Sequence, residues 1–365
     1  MENNCLSAGG LSKQDIYHHE RSLGKTDLVA RRQFNQLQRQ RRLSAGAAGP
    51  LNPPRTLQLS QTDTYLLTNE MHHGAGGDGV YVAKMVGRTT YVIKRMPQVR
   101  ELRGYFKNEI KVLRTLRHPR IVGLVGAYSL ERYNFLVLQH AKKGDLLEVV
   151  YTKPKQFSIT QRLKIVRQII DGLDYAHKEG YAHRDLKPEN VFLKENNDIV
   201  IGDWAFATNK EKSKEFLGSF QYISPQILAV GVQKMKENFG VNVKQWADTQ
   251  PQEYACKPVD VWALGVMCCD MLFLIDYTID YVFGSFTNSP YYFDRLKMVK
   301  DKRWGEFWKI VFPKEATFTD LDVVDQVFWK EMIESMLSFE APTRVTMKKL
   351  FDEIHKTPQI VRQSM

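Results

Sequence analysis

Cysteine is scarce in this 365-residue chain, with Cys5, Cys256, Cys268 and Cys269 its only four. They show no CxxC pair and no metal-ligand spacing, which argues against a disulfide framework or a structural zinc site. Cys268 and Cys269 are adjacent and cannot readily bridge each other within a helix. A reducing, intracellular setting, cytoplasm or nucleus, fits that usage best. Also missing at the start is the apolar block of a signal peptide. The most apolar stretch, Val259 to Phe283, is interrupted by Asp260, Asp270, Asp276 and Asp280. It reads as a buried core helix and not as a membrane span. No internal repeat is evident.

What the chain has in excess is positive charge, a formal +11. Arg31, Arg32, Arg39, Arg41 and Arg42 cluster among glutamines near the start. Such a cluster suits a solvated tail, and nucleic acid or an import factor are the anionic or receptor partners it could take. Residues 1–58, rich in Gln, Arg, Ser and Gly, read as a disordered basic tail with a short helix around Ala30–Leu43. Folded structure is expected from near Thr56. Thr64–Leu67, Val80–Lys84 and Thr90–Lys94 alternate like strands, and Gly104–Leu116 spaces Phe106, Ile110 and Leu113 for one buried helix face. Val122–Ser129 and Phe135–Gln139 are two further strand candidates, and beyond Gly144-Asp145 the pattern turns mainly helical.

The densest chemistry lies in His183-Arg184-Asp185-Leu186-Lys187-Pro188-Glu189-Asn190, followed by Asp203-Trp204-Ala205. Phosphoryl transfer to a hydroxyl needs an acceptor for its proton and Mg²⁺ to offset triphosphate charge. Asp185 suits the first task; Asn190 and Asp203 suit the second as hard oxygen ligands. Lys187 can sit beside Asp185 and hold the transferring phosphate. Upstream, Gly74, Gly76, Gly77 and Gly79 make a turn where backbone N–H groups can approach phosphates. Together with Val92-Ile93-Lys94, these strings closely resemble the motifs of eukaryotic-type serine/threonine protein kinases.

The resemblance implies a two-lobed α+β fold. A small antiparallel β-sheet lobe with one main helix would span about 59–141, and a larger, mainly helical lobe about 142–359. An insertion would lie at about 229–257, and 360–365 would be a tail. It also implies ATP and Mg²⁺ as cofactors. Lys94 would grip the phosphates with Glu109 as its helix partner, beneath a loop formed by Gly74, Gly76, Gly79 and Val80. Leu138 would be the gatekeeper, the backbone of Gln139, His140 and Ala141 would meet adenine, and Asp145 would face the ribose. Asp185 and Lys187 would be catalytic, Asn190 and Asp203 metal-binding, and Ser219 the hydroxyl beside them. The activation segment leans towards the calcium/calmodulin-dependent and cAMP-dependent branches. Asp145, Glu189 and Asp270 would favour arginine upstream of the phosphorylated serine or threonine. Glu215 falls where relatives carry an activating phosphothreonine, opposite Arg184.

Four departures bear on that reading. Tyr81 replaces the valine after the glycine loop, and Trp204 and Ala205 replace Phe and Gly. Gln226 stands where a glutamate would pair with Arg344, and the segment before Asp260 is long. A pseudokinase scaffold or signalling adaptor is therefore the alternative to an ATP- and Mg²⁺-dependent serine/threonine kinase.

Overall fold

The computed structural model describes residues 56–73, 79–85, 89–147, 157–231, 253–273, 291–311 and 323–356. All lie in one compact unit, Asn52–Tyr277 with Tyr281–Met365. The arginine cluster, the expected helix at 30–43, Gly74, Gly76 and Gly77, most of the expected insertion and the final residues lie outside the described residues.

Alternating side chains build the first lobe around a six-stranded antiparallel sheet. Its strands are β1 (Thr56–Gln58), β2 (Thr64–His73), β3 (Gly79–Met85), β4 (Thr90–Pro97), β5 (Leu124–Leu130) and β6 (Tyr133–Gln139), in the order β1-β2-β3-β4-β6-β5. β1 starts ahead of the domain boundary expected at 59, and pairs Leu57 with Tyr65 through a turn closed by Leu59 N–H on Asp63 O. One sheet face carries its own core of Leu59, Tyr65, Ala83, Ile93, Phe135 and Val137. Against the other face lies helix α1 (Arg100–Thr115), burying Phe106, Glu109, Val112 and Leu113 at helical spacing. α1 begins four residues earlier than its apolar periodicity implied. Gly104 is poor helix material, yet nothing crowds it, and burial of the following turns carries the helix through it.

The second lobe is mainly helical. α2 (Ile159–Lys178) starts with a capping box, Ser158 accepting from Gln161 N–H while the Gln161 side chain accepts from Ser158 N–H. Next come α3 (Pro225–Val230), α4 (Lys257–Phe273), α5 (Tyr291–Lys300), α6 (Trp304–Val311), α7 (Val323–Met336) and α8 (Met347–Lys356). α4 is buried on nearly every side, from Val259 to Leu272, as its low amphipathicity requires. It accounts for the first half of the apolar stretch. No helix among the described residues is long and apolar enough to cross a membrane.

Short strands shape the region between the lobes. β7 (Gly144–Asp145), β8 (Val191–Leu193) and β9 (Ile199–Ile201) form one antiparallel sheet. β10 (Lys212–Ser213) pairs with β11 (Tyr254–Ala255), so the end of the expected insertion is a strand. The result is the two-lobed α+β arrangement that the resemblance implied.

Candidate active site

Asp260, near the start of α4, organises the loop that carries Asp185. Its carboxylate accepts from the backbone N–H of His183 and Arg184 and from His177 Nε2, each at 2.8 Å. Burial opposes the charge, but His177 and these amides hold the carboxyl below the ordinary range. The anchor also sustains the left-handed backbone of Arg184, at φ 68°. His183 donates from Nε2 to Gly202 O at 2.9 Å and meets the Trp204 ring edge-on.

Three side chains then converge. Ser219 donates to Asp185 Oδ1 at 2.9 Å and accepts from Lys187 Nζ at 2.8 Å. Lys187 lies 3.4 Å from Asp185 Oδ2. Asn190 Nδ2 donates to Asp185 O and Oδ2 at 2.8 and 3.2 Å, which turns its own amide oxygen away from that carboxylate. A carboxylate, an ammonium and a hydroxyl so arranged can orient a further hydroxyl and take its proton.

Lys94 on β4 joins the lobes, contacting Glu109 Oε2 at 3.0 Å and Asp203 Oδ1 at 2.9 Å. Burial works against the ammonium, but the two carboxylates overcome it and hold Lys94 above its usual range. Asp203 is held below its usual range: Lys94 outweighs burial there as well. Glu109 is fully buried, with Oε1 lacking a hydrogen-bond partner among the described residues. Burial pushes the Glu109 carboxyl up even against the pull of Lys94, so removing Lys94 would leave that buried group with no countercharge.

The residue with positive φ at the Asp-Trp-Ala turn is Asp203, at 56°; Ala205 sits in a 3-10 turn, Trp204–Phe206. Alanine for glycine thus brings no backbone strain to this conformation. Trp204 is fully buried and its indole N–H donates to Ile201 O at 2.9 Å, a bond phenylalanine could not make.

Register determines which strand residues share the site face. Val80 pairs with Lys94 and Val82 with Val92, placing all four on one face of the sheet; Tyr81, paired with Ile93, lies on the other. Leu138 pairs with Val92 and is buried. Gln139 N–H donates to Gly123 O, while Ala141 is buried beside it. Asp145 pairs with Phe192 across β7 and β8, and the Phe192 ring lies against Gly202. Of the glycine loop, Gly79 opens β3, and Gly74 and Gly76 lie outside the described residues.

Among the described residues, Asp203 and Asn190 each leave an oxygen for a divalent cation. Asp203 Oδ2 makes no hydrogen bond among the described residues, and the Asn190 amide oxygen is left by its nitrogen's commitment to Asp185. Mg²⁺ usually takes one or two carboxylates or amides and completes its shell with phosphate and water, so this pair fits it.

Further contacts surround the core of the site. Arg184 Nη1 reaches Glu215 Oε2 at 2.6 Å and Ser213 Oγ at 3.0 Å, and Tyr254 OH donates to Glu215 O at 2.9 Å. Gln226 Oε1 accepts from Arg344 Nη2 at 3.0 Å. Sequence reasoning overlooked Asn108 and Tyr105. Asn108 Nδ2 donates to Ala205 O and Ala207 O, and Tyr105 meets the Phe206 ring edge-on. Their signal was the i, i+3, i+4 spacing of Tyr105, Asn108 and Glu109 on one face of α1.

Comparison with known proteins agrees with this geometry. Residues 67–355 match the model of the protein kinase domain. The phosphorylase b kinase gamma catalytic chain, liver/testis isoform, of Rattus norvegicus is 29% identical over 181 residues, covering 48% of this chain and 40% of that protein. The probable serine/threonine-protein kinase FMP48 of Saccharomyces cerevisiae is 30% identical over 209 residues, 53% of this chain and 55% of that protein. Serine/threonine-protein kinase H1 of Mus musculus is 28% identical over 243 residues, 62% and 52% respectively. The chain thus spans about half the length of these relatives. With the family's model matched over most of its length, the chain belongs to the protein kinase domain family.

Proposed function

We propose that this chain is a serine/threonine protein kinase that uses ATP and Mg²⁺ to phosphorylate protein hydroxyls. The observation that carries the reading is the Ser219 hydroxyl held between Asp185 and Lys187. An incoming serine or threonine needs that same pair of contacts, an acceptor for its proton and a cation for developing charge. The names of the relatives, serine/threonine kinases among them, support the same activity.

When bound, Mg²⁺-ATP would supply a phosphorus electrophile with much of its charge offset by the metal. The chain's own groups would hold and orient the reactants. Asp185 would turn the acceptor hydroxyl and receive its proton, and Lys187 would neutralise the oxygens beside it. Lys94, fixed by Glu109, would meet the α- and β-phosphates under Gly74, Gly76, Gly79 and Val80. Asn190 and Asp203 would offer oxygens to the metal. The backbone of Gln139 and Ala141 would hold adenine, and Asp145 the ribose.

Arginine upstream of the acceptor is the substrate feature this site favours. Glu189 keeps Oε2 buried without a hydrogen-bond partner among the described residues, and burial, with Asp145 and Asp185 adding to it, pushes its carboxyl up. A guanidinium there would supply both charge and donors. Asp270 is buried inside α4, so Asp145 and Glu189 are the acids left to read arginine.

Labelled phosphate transfer to a peptide library tests both parts. Asp185→Asn is expected to lower turnover on the order of 10²- to 10⁴-fold while keeping the thermal shift induced by Mg²⁺-ATP. Equal incorporation by wild type and variant would reject the kinase reading and leave the scaffold. Preference for acidic or proline-flanked sites would reject the arginine reading alone.

A further inference from the structure

Three consecutive backbone carbonyls follow Trp204, and each is taken by a side chain from outside the segment. Asn108 Nδ2 donates to Ala205 O at 3.0 Å and to Ala207 O at 2.7 Å. Arg184 Nε donates to Phe206 O, between them, at 2.8 Å. Asn108 belongs to α1 in the small lobe and Arg184 to the loop of Asp185 in the large lobe. The start of the activation segment is therefore gripped from both sides at adjacent residues.

The chemistry of Asn108 suits this grip closely. A carboxamide nitrogen carries two hydrogens, one for each carbonyl, so both bonds form together. Asparagine is a poor residue for a helix interior, and the neighbouring Lys107 and Lys111 are exposed and of the usual solvent-facing type. Asn108 instead faces inward, half-buried, one residue before Glu109. Tyr105, one turn earlier, packs its ring edge-on to Phe206 at 5.2 Å. A single face of α1 thus holds Phe206, both carbonyls flanking it, and Lys94.

We propose that Asn108 is a positioning residue, locking α1 to the Ala205–Ala207 backbone so that Glu109 and Asp203 reach Lys94 together. Lys94 spans the lobes only while both carboxylates are within about 3 Å. Glu109 moves with α1, and Asp203 with the segment that Asn108 grips. Without the lock, the two partners of Lys94 would shift independently. The mechanistic consequence rests on the kinase reading above; the mechanical one does not.

Asn108→Asp tests the lock, because it keeps the shape and removes both donors. In the full chain, backbone amide exchange across 203–208 is expected to quicken at least severalfold, with exchange in α2 and α4 unchanged. Turnover should fall on the order of 10- to 100-fold, with the KM for peptide within about twofold and the thermal midpoint close to wild type. Asn108→Ala, lacking carboxylate repulsion, should show the same local pattern. Unchanged exchange at 203–208 in both variants would overturn the proposal, and so would faster exchange throughout the domain, the mark of general destabilisation. If wild type itself transfers no phosphate, the kinase reading fails, while exchange still decides whether Asn108 is the lock.

Discussion

At the scale of single residues, the site balances buried charges against one another. Glu109 lies fully buried, and Lys94 is its ion-pair partner. Lys94→Met should abolish phosphate transfer and lower stability by about 3 kcal/mol, since a buried charge left without its partner is strongly destabilising. Adding Glu109→Gln should recover most of that stability and none of the activity, as thermal denaturation and phosphate transfer would read.

Glu215 is the opposite case, an exposed carboxylate with a directed partner. The Arg184 hydrogen bond holds its carboxyl below the ordinary range, against partial burial. A carboxyl depressed in the folded state stabilises above its unfolded pKa, about 4.3, and loses that contribution as pH falls through the folded value. The Arg184–Glu215 clasp therefore stays intact from pH 8 down past pH 5. A phosphothreonine would change charge near its second pKa of about 6. We expect phosphatase-treated protein to remain active, Glu215→Ala to lose turnover severalfold, and Glu215→Thr to recover it on phosphorylation. Equal turnover of all three would remove any role for Glu215 in ordering the segment.

At the scale of elements, α3 is tied to the end of the domain by one arginine. Arg344 is buried and donates to Pro258 O, Ser338 O, Phe339 O and Gln226 Oε1, all neutral acceptors. Burial outweighs the attraction of nearby Glu340, which makes no direct ion pair with it, and pushes Arg344 down to about 9. A base whose folded pKa lies below its unfolded one carries that penalty throughout the lower pH range, neutral pH included. Gln226→Glu should relieve it. The amide's bond to Phe339 O would be lost, but Arg344 Nη2 also serves that carbonyl at 3.2 Å. A gain of about 1 kcal/mol, or about 2–4 °C in Tm, is expected. Gln226→Ala should lower Tm, and a fall in both variants would show that the ion pair does not compensate.

Across the whole molecule, the sheet's outer core depends on a stretch ahead of β2. Leu59 is buried in it, and Asp63 accepts from Ser60 Oγ and Tyr128 OH at 2.7 and 2.9 Å. A chain cut after residue 55 keeps β1 and its turn and sets the reference melting temperature. Extending the cut through Asp63 should lower Tm by several degrees, because Tyr65 and Phe135 lose their cover and about 2 kcal/mol of apolar burial goes with Leu59 alone. Identical melting of the two truncations would mean that β1 and its turn are dispensable.

Much of this protein was legible along the chain because its signals are local. His183 to Asn190 is one loop, and its residue types announce phosphoryl chemistry without any long-range contact. Strand alternation and the spacing of Phe106, Ile110 and Leu113 likewise marked sheet and helix. Tertiary structure decided what depends on partners far apart in sequence or on register. Pairing of β3 with β4 put Val80 on the face of Lys94 and Tyr81 on the other, which composition could not distinguish. The αL conformation of Asp203, and not residue 205, absorbs the turn. Asn108 meets Ala205 and Ala207 nearly a hundred residues downstream, and Arg344 meets Gln226 more than a hundred residues upstream. Short-range propensity and spacing operate within a few residues, whereas a hydrogen bond between lobes exists only once both backbones have been placed by their cores.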